Sequence, residues 1–432
     1  MAEKSRFRVL LGNASMMISG RAVTGIFSLA YIALAARALG IEAFGVLTLI
    51  NAYAQTIGDF AQFQSWQAVL HYGTRPFQEG RRADLHRVIR FSLVLDAGAA
   101  VAGLVVALLG AWFFAEGLGW FPAIVPLGMA YCTSILFMSS TTATGVLRLM
   151  DRFDVIALQS TISSIVRFVG SVGVYLAGGG LTAYLAVWYL STLIAFLYMA
   201  WSAVSVFRRS EQAAGFILRD RLPLTHGMPG AWTFMWNINL NSTLGLVTNR
   251  VATLVVGGVF GPSEAALFRI ARQVSDAATR PAKLLVPALY PEFARLWSER
   301  DMPQLRRLCL QLALTAGSVA TVALAILALF GGRLITLVVG PEYLGATGIM
   351  LWLFAASVIT VWGLPLEPLL ISTGRSGTAL KIRAAVTLVY LAILYPAMQA
   401  YGLIGVGVAA VAAALLLFAG QLAAVIKNSA RA

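Results

Sequence analysis

The sequence predicts an all-α polytopic membrane protein of twelve transmembrane helices, and three observations predict it. Of 432 residues, 59% are hydrophobic and only 12% are charged, roughly half the charge of a soluble globular chain. The apolar residues recur in runs of about twenty, the length that spans a hydrocarbon core. The basic residues between those runs collect in alternate intervals, the bias that marks cytoplasmic loops.

Taken in order, the apolar runs place helices near 12–36, 41–71, 89–114, 120–147, 155–177 and 180–206, then 229–256, 262–290, 308–331, 343–371, 378–398 and 401–426. The first follows Lys4, Arg6 and Arg8, but its apolar run is long and shows no cleavage-site pattern. It reads as a retained span rather than a signal peptide. The interval 207–228 is the longest polar one, with Arg208, Arg209, Arg219 and Arg221, a Leu-Pro-Leu and a Gly-Met-Pro-Gly. It is expected to be a cytoplasmic linker between an N-terminal six-helix bundle, 1–206, and a C-terminal one, 229–432.

With the N-terminus in the cytoplasm, the inside intervals and adjoining helix ends hold 23 of the 32 Lys and Arg, and the outside intervals hold only Arg37 and Arg333. Both termini are then cytoplasmic. The net charge of +14 would suggest nucleic acid in a soluble domain; here topology accounts for it, and no nucleic-acid partner is expected. Cys132 and Cys309 both fall in helices, with no disulfide framework or metal pattern. His71, His86 and His226 sit at cytoplasmic edges without partner spacing and read as loop histidines. No nucleophile–base pair, phosphate loop or metal cluster stands out, and the outer loops are too short for a catalytic domain. The chain reads as a non-enzyme without cofactor or metal.

The other seven basic residues lie inside helices: Arg21, Arg167, Arg250, Arg269, Arg272, Arg280 and Lys283. Four of these, with Asp276, form the most informative stretch, Gly261–Tyr290. At about 100° per residue, Arg269, Arg272, Asp276, Arg280 and Lys283 fall within a sector of roughly 80°. The opposite face is Ala, Leu, Ile and Val. Charge at membrane depth is costly and usually faces a bundle interior or a watery path. The stripe therefore reads as one wall of a cationic cavity that passes something anionic. Two other readings stand beside it: an ion-pair seam between helices, and an amphipathic helix lying on the membrane surface. The last would remove one span and invert every later loop.

The halves read as a parallel repeat about an axis along the membrane normal. LGIEAFGVL (39–47) and FGPSEAALF (260–268) align Gly40 with Gly261, an offset of 221. Carried down the helix, Asn51 falls on Arg272, Gln55 on Asp276, Asp59 on Arg280 and Gln62 on Lys283. A polar stripe in the first half thus occupies the positions of the charged stripe in the second. Lesser stripes are Arg21, Thr24, Ser28 and Tyr31 in the first helix, Ser160, Ser164, Arg167 and Ser171 in the fifth, and Asn239, Thr243 and Arg250 in the seventh. Ser and Thr there are ordinary packing residues; the Arg residues need water, a partner or a ligand. Arg250, nearer the outer end, can also snorkel. The intramembrane acids Asp59, Asp96, Asp276 and Glu367 either pair with Arg or serve as proton or cation coupling sites. Glu367 lies in GLPLEPLL, between Pro365 and Pro368, where lost backbone hydrogen bonds predict a kinked tenth helix. Pro281 and Pro287 would bend the eighth similarly.

LGIEAFGVL (39–47), GVLRLMDRFDVIA (145–157) and VPALYPEFARL (286–296) resemble the polysaccharide-transporter branch of the multidrug/oligosaccharidyl-lipid/polysaccharide exporter superfamily, which includes the Wzx-type O-antigen flippases. The resemblance extends to nearly the whole chain through the twelve-span plan. It implies two six-helix bundles in a V shape and a central cavity lined largely by helices one, two, seven and eight. It also implies a substrate: an undecaprenyl-diphosphate-linked oligosaccharide, flipped to the outer leaflet of a bacterial cytoplasmic (inner) membrane for polysaccharide, O-antigen or lipopolysaccharide assembly. The expected binding residues are Arg21, Arg167, Arg250, Arg269, Arg272, Arg280, Lys283, Asn51, Gln55 and Gln62. Guanidinium groups suit phosphate oxygens, and the amide face suits a sugar headgroup. Further expected partners are membrane lipids, protons or sodium as coupling ion, and a polysaccharide polymerase with glycosyltransferases. Two rival functions are a multidrug antiporter of the same superfamily, whose cationic substrates favour an acidic cavity, and a non-transporting subunit of a polysaccharide assembly complex.

Overall fold

The computed structural model describes residues 2–215, 223–299 and 301–429; for 2–23, 240–250, 277–288 and residues 118, 290, 291, 294, 376, 428 and 429 it describes the backbone alone. The described α-helices are α1 Ala2–Ala61, α2 Ser65–Gln78, α3 Arg82–Phe114, α4 Val125–Cys132, α5 Thr141–Leu149, α6 Phe153–Leu176 and α7 Leu181–Arg209. They continue with α8 Ala231–Phe260, α9 Pro262–Ser298, α10 Met302–Val338, α11 Ala346–Trp362, α12 Leu366–Ser372, α13 Ser376–Tyr401 and α14 Ile404–Ser429. Every expected helix overlaps one of these, and the chain is an all-α polytopic membrane protein.

Among the described residues, eight helical stretches are long and apolar enough to cross a membrane: 24–78, 82–114, 153–176, 181–209, 302–338, 346–372, 377–401 and 404–427. The stretches expected as the fourth, seventh and eighth helices are not among them. The fourth is broken. The seventh contributes only the short apolar run Val251–Phe260. Of the eighth, α9, the side chains described before 289 cover 262–276 alone, a stretch shorter than a span. Nevertheless α9 packs against α10, α11 and α12 and buries Ala265, Ala266, Phe268, Ile270, Ala271 and Phe293. That packing argues against a helix lying alone on a surface.

Three breaks set the local geometry. The second expected helix stops at Ala61 and resumes at Ser65. The fourth divides into α4, a 3-10 segment Thr133–Phe137, and α5. The tenth stops at Trp362 and resumes at Leu366. Pro365 lies in that gap, where its missing N–H and its ring disfavour continuous helix. By contrast, α9 stays helical through positions 281 and 287.

Gly40 is a kink inside α1, with φ 72° and ψ 174°. Gly261, the residue before α9, has φ 90° and ψ −175°. Both conformations are costly for any residue with a Cβ, and they recur at the two positions that the sequence repeat aligns. A Cβ on Gly45 would come within 2.0 Å of the Pro262 carbonyl oxygen, so the starts of these two helices touch backbone to backbone.

The chain divides into two compact units: Met1–Leu39 with Val46–Val259, and Gly40–Gly45 with Phe260–Ala432. The first is centred on Tyr184, Trp188, Leu85 and Phe91; the second on Phe268, Phe293 and Tyr343, all at most 1% exposed. Between α2 and α3, Glu79 accepts from Arg75 Nε at 2.6 Å and Arg81 Nε at 2.7 Å. Those hydrogen bonds hold its carboxyl below the ordinary Glu range.

Candidate functional site

The cationic stripe lies along α9 in the second unit. Arg269 and Arg272 are half-buried and Asp276 is half-buried beside them. The Arg272 Nε stands 3.7 Å from Asp276 Oδ2, one helical turn along, and its guanidinium lies 6.0 Å from the Phe268 ring centre. An ion pair at that distance, with side chains 20% and 45% exposed, is loose and contributes little. On the buried side, Ser275 Oγ reaches the Ala271 carbonyl at 2.9 Å and the Met350 carbonyl of α11 at 3.4 Å. Arg280 and Lys283, and likewise Arg21 and Arg250, have side chains outside the described residues.

The first unit holds a second cation. Arg167 on α6 is 9% exposed. Its Nε donates to Ser191 Oγ at 2.7 Å and its Nη1 to the Tyr31 hydroxyl at 3.4 Å. The guanidinium carbon lies 5.2 Å from the Trp188 ring centre and 5.7 Å from that of Tyr31, within cation–π range. Those two rings meet edge to face, 5.8 Å apart. Among the described residues no carboxylate pairs with Arg167. The lesser stripes of the first and fifth helices meet here: Thr24 faces Thr161 at 3.4 Å, and Phe27 packs on Phe168 at 5.1 Å. Tyr31 and Arg167 continue the same seam.

The polar stripe of the second helix divides. Asn51 is 3% exposed and donates through Nδ2 to the Tyr131 hydroxyl at 2.7 Å. Gln55 and Asp59 are half-buried, and Gln62 falls in the gap between α1 and α2. In the seventh helix, Asn239 is 7% exposed, and its Oδ1 has no hydrogen-bond partner among the described residues.

The acids occupy unlike settings. Asp96, in the middle of α3, is 9% exposed. Its Oδ1 accepts from Ser65 Oγ at 2.6 Å and Thr141 Oγ1 at 2.8 Å. Its Oδ2 accepts from Thr142 Oγ1 at 2.6 Å and the Thr142 backbone N–H at 2.9 Å. The donors come from the first residue of α2 and the first turn of α5, so one carboxylate fastens both breaks of this unit. Glu367, just beyond the break before α12, pairs with Arg383 of α13. Asp276 keeps its loose pair with Arg272, and Asp59 lies in the last turn of α1.

Sequence reasoning did not find Tyr131, Trp188, Ser191, Ser65, Thr141 or Thr142. Hydroxyl and aromatic residues are common in membrane helices, and none of these six lies in a charged pattern. A signal existed only for Asp96 itself, as an acid in an apolar run.

Residues 10–297 match the family described as polysaccharide biosynthesis protein. The chain is 34% identical over 341 residues to inner membrane protein YghQ of Escherichia coli (strain K12), covering 79% of this chain and 95% of that protein. Its fold is similar to the inward-facing conformation of a multidrug resistance MATE family transporter of the MOP superfamily, with a TM-score of 0.76 at 17% identity, over 96% of this chain and 98% of that one. It is also similar to the lipid II flippase MurJ in an inward closed conformation, with a TM-score of 0.73 at 13% identity, over 95% and 87% of the two chains. At such identities the likeness is one of fold alone: the chain shares the helical plan of these two proteins.

Proposed function

Since the chain belongs to the polysaccharide biosynthesis protein family, we propose that it is a flippase that moves a diphosphate-linked lipid oligosaccharide across a bacterial cytoplasmic membrane by alternating access. The product would supply polysaccharide or O-antigen assembly, alongside a polymerase and glycosyltransferases. Both termini would lie in the cytoplasm, and the interval 207–228 would link N-terminal and C-terminal six-helix bundles.

The observation that carries this reading is the stripe on α9. Arg269 and Arg272 are half-buried at membrane depth with one loose acidic partner between them. A guanidinium stripe on one helix face, partly open to its surroundings, suits an anion, and a planar guanidinium suits phosphate oxygens. Arg280 and Lys283 extend the stripe, with Arg21, Arg167 and Arg250 as further contributors. Gln55 and Gln62 would face the sugar, with Asn51 joining through its tie to Tyr131.

For coupling to protons or sodium, Asp59 and Asp276 are the acids on the stripes and the first candidates. Asp96 is saturated by donors and Glu367 is held by Arg383, so each must first exchange a partner.

The test is reconstitution in liposomes with a fluorescent lipid-linked oligosaccharide. The expected result is protein-dependent loss of protection from an external quencher. Transport of organic cations in its place would support the multidrug reading, and no transport of either would support a structural subunit.

A further inference from the structure

Within the first unit, α3, α5 and α7 enclose a cavity of about 620 Å³, and none of the residues proposed above to hold the substrate lines it. Ile89 to Ala100 of α3 line one side and Phe196 to Arg208 of α7 the other. At 1.5 Å per residue those segments run about 16–18 Å, close to the roughly 15 Å of one leaflet's hydrocarbon. The walls are mainly Ala, Val, Leu and Phe. Leu93 and Val204, both lining residues, are 38% and 49% exposed. They belong to stretches apolar enough to cross a membrane, and a lateral opening between such stretches would meet hydrocarbon rather than water.

The two ends differ. At one end Arg208 lines the mouth. Arg208 and Arg209 are exposed, and among the described residues neither makes an ion pair. His86 Nε2 lies 2.6 Å from the Gln212 carbonyl, which brings the start of α3 to this end. Arg82, one turn before His86, is exposed as well. The acids on the adjoining turns are Glu211 and Asp84, and Asp84 is already paired with Arg81 and Arg87. At the deep end is the Asp96 carboxylate, whose oxygens are already engaged by Ser65, Thr141 and Thr142. It has no need of a cation from a ligand.

From a leaflet-length apolar slot, open to hydrocarbon and ending at unpaired cations, we infer that this cavity binds one acyl chain of an anionic phospholipid, with the phosphate at Arg208. Basic pockets between transmembrane helices recognise anionic headgroups in this way, and the guanidinium fork adds directed hydrogen bonds to phosphate oxygens. The occupant is a resident bilayer lipid. Its binding is independent of the transport reading above.

The test is native mass spectrometry of the full chain after equilibration with nanodiscs of phosphatidylglycerol or phosphatidylcholine. The wild-type protein should retain one phosphatidylglycerol. Arg208→Glu should reduce retention about tenfold or more, since it reverses the charge nearest the phosphate, while Arg208→Lys should keep most of it. Ala97 lines the slot and is exposed, so Ala97→Phe can fill the slot with little strain on the packed core. It should displace the lipid with all cations intact. Equal retention of phosphatidylcholine would overturn the proposal. So would indifference to both Arg208→Glu and Ala97→Phe, preferential retention of a polyprenyl phosphate, or displacement by an organic cation.

Discussion

The Ser65 hydroxyl donates to Asp96 Oδ1 across 2.6 Å, joining the first residue of α2 to the middle of α3. The helix that should have run from 41 to 71 is broken just before Ser65, and a side chain from another helix holds the residue at which it resumes. Thr141 and Thr142 are held by the same carboxylate after the second break. Backbone groups released in an apolar interior must be satisfied by protein, and there Asp96 accepts the Thr142 N–H as well.

Asp96→Ala should therefore destabilise the protein. Each buried donor left unmade costs about 1–3 kcal/mol, and the Thr142 N–H, unlike the hydroxyls, cannot rotate away. Asp96→Asn should be nearly as harmful, because its NH2 would meet donors. Thermal unfolding in detergent should show a lower Tm for both variants, with transport per folded molecule largely preserved. An unchanged Tm with lost transport would move Asp96 to the ion-coupling role.

Arg167 leads to a second expectation. Its contacts are an Nε hydrogen bond, a long Nη1 bond and two ring faces, and all depend on a flat guanidinium. Arg167→Lys keeps the charge but not that shape, so it should lose stability nearly as Arg167→Ala does. Ser191→Ala should lose less, about 1–3 kcal/mol. Should Arg167→Lys restore both Tm and transport, the charge alone matters and direct anion binding becomes the better account of this residue.

Much of this was legible in the sequence. Runs of apolar residues placed helical stretches but not their breaks, and the faces Thr24–Ser28–Tyr31 and Ser164–Arg167–Ser171 were visible as stripes because helical spacing puts them on one side. The two stripes turned out to face each other. The Gly40–Gly261 alignment was readable too, and both glycines hold a left-handed φ. The breaks at 62–64 and 133–140 were not readable. Gln62-Phe63-Gln64 contains no proline or glycine, and the carboxylate that holds the next helix start, Asp96, lies some thirty residues away in sequence. Pro365 marked the third break, since its cause is local. The fate of Asn51 was hidden for the same reason as the first two: its partner Tyr131 belongs to another helix.

The basic residues predict a topology that can be checked directly. In a background lacking Cys132 and Cys309, Ser210→Cys should react with an impermeant thiol reagent only from the cytoplasmic face. Gly117→Cys should react only from the outside. The polar interval after α7 carries Arg208 and Arg209 at its start, which favours the cytoplasm. Labelling of both cysteines from one face would refute the orientation.

The stripe on α9 allows a sharper decision, because Arg272 has two possible employers. If it holds a phosphate, its charge-assisted hydrogen bond contributes about 1.5–3 kcal/mol, and Arg272→Ala should lower transport about tenfold to a hundredfold while the protein still inserts. Arg272→Lys should recover part of that loss, since the charge remains without the fork. If it serves only to neutralise Asp276, the damage in Arg272→Ala comes from a stranded carboxylate, and removing both charges should repair it. The Asp276 contact by itself is weak: the pair is 3.7 Å apart, with Asp276 45% exposed, so that contact is worth at most about 1 kcal/mol. Asp276→Ala alone should then leave the Tm nearly unchanged. The double variant should transport as poorly as Arg272→Ala, because deleting the acid does not replace the phosphate ligand. Transport per folded protein and Tm in the three variants decide the matter. Full activity in the double variant would make the pair structural and remove Arg272 from the substrate site.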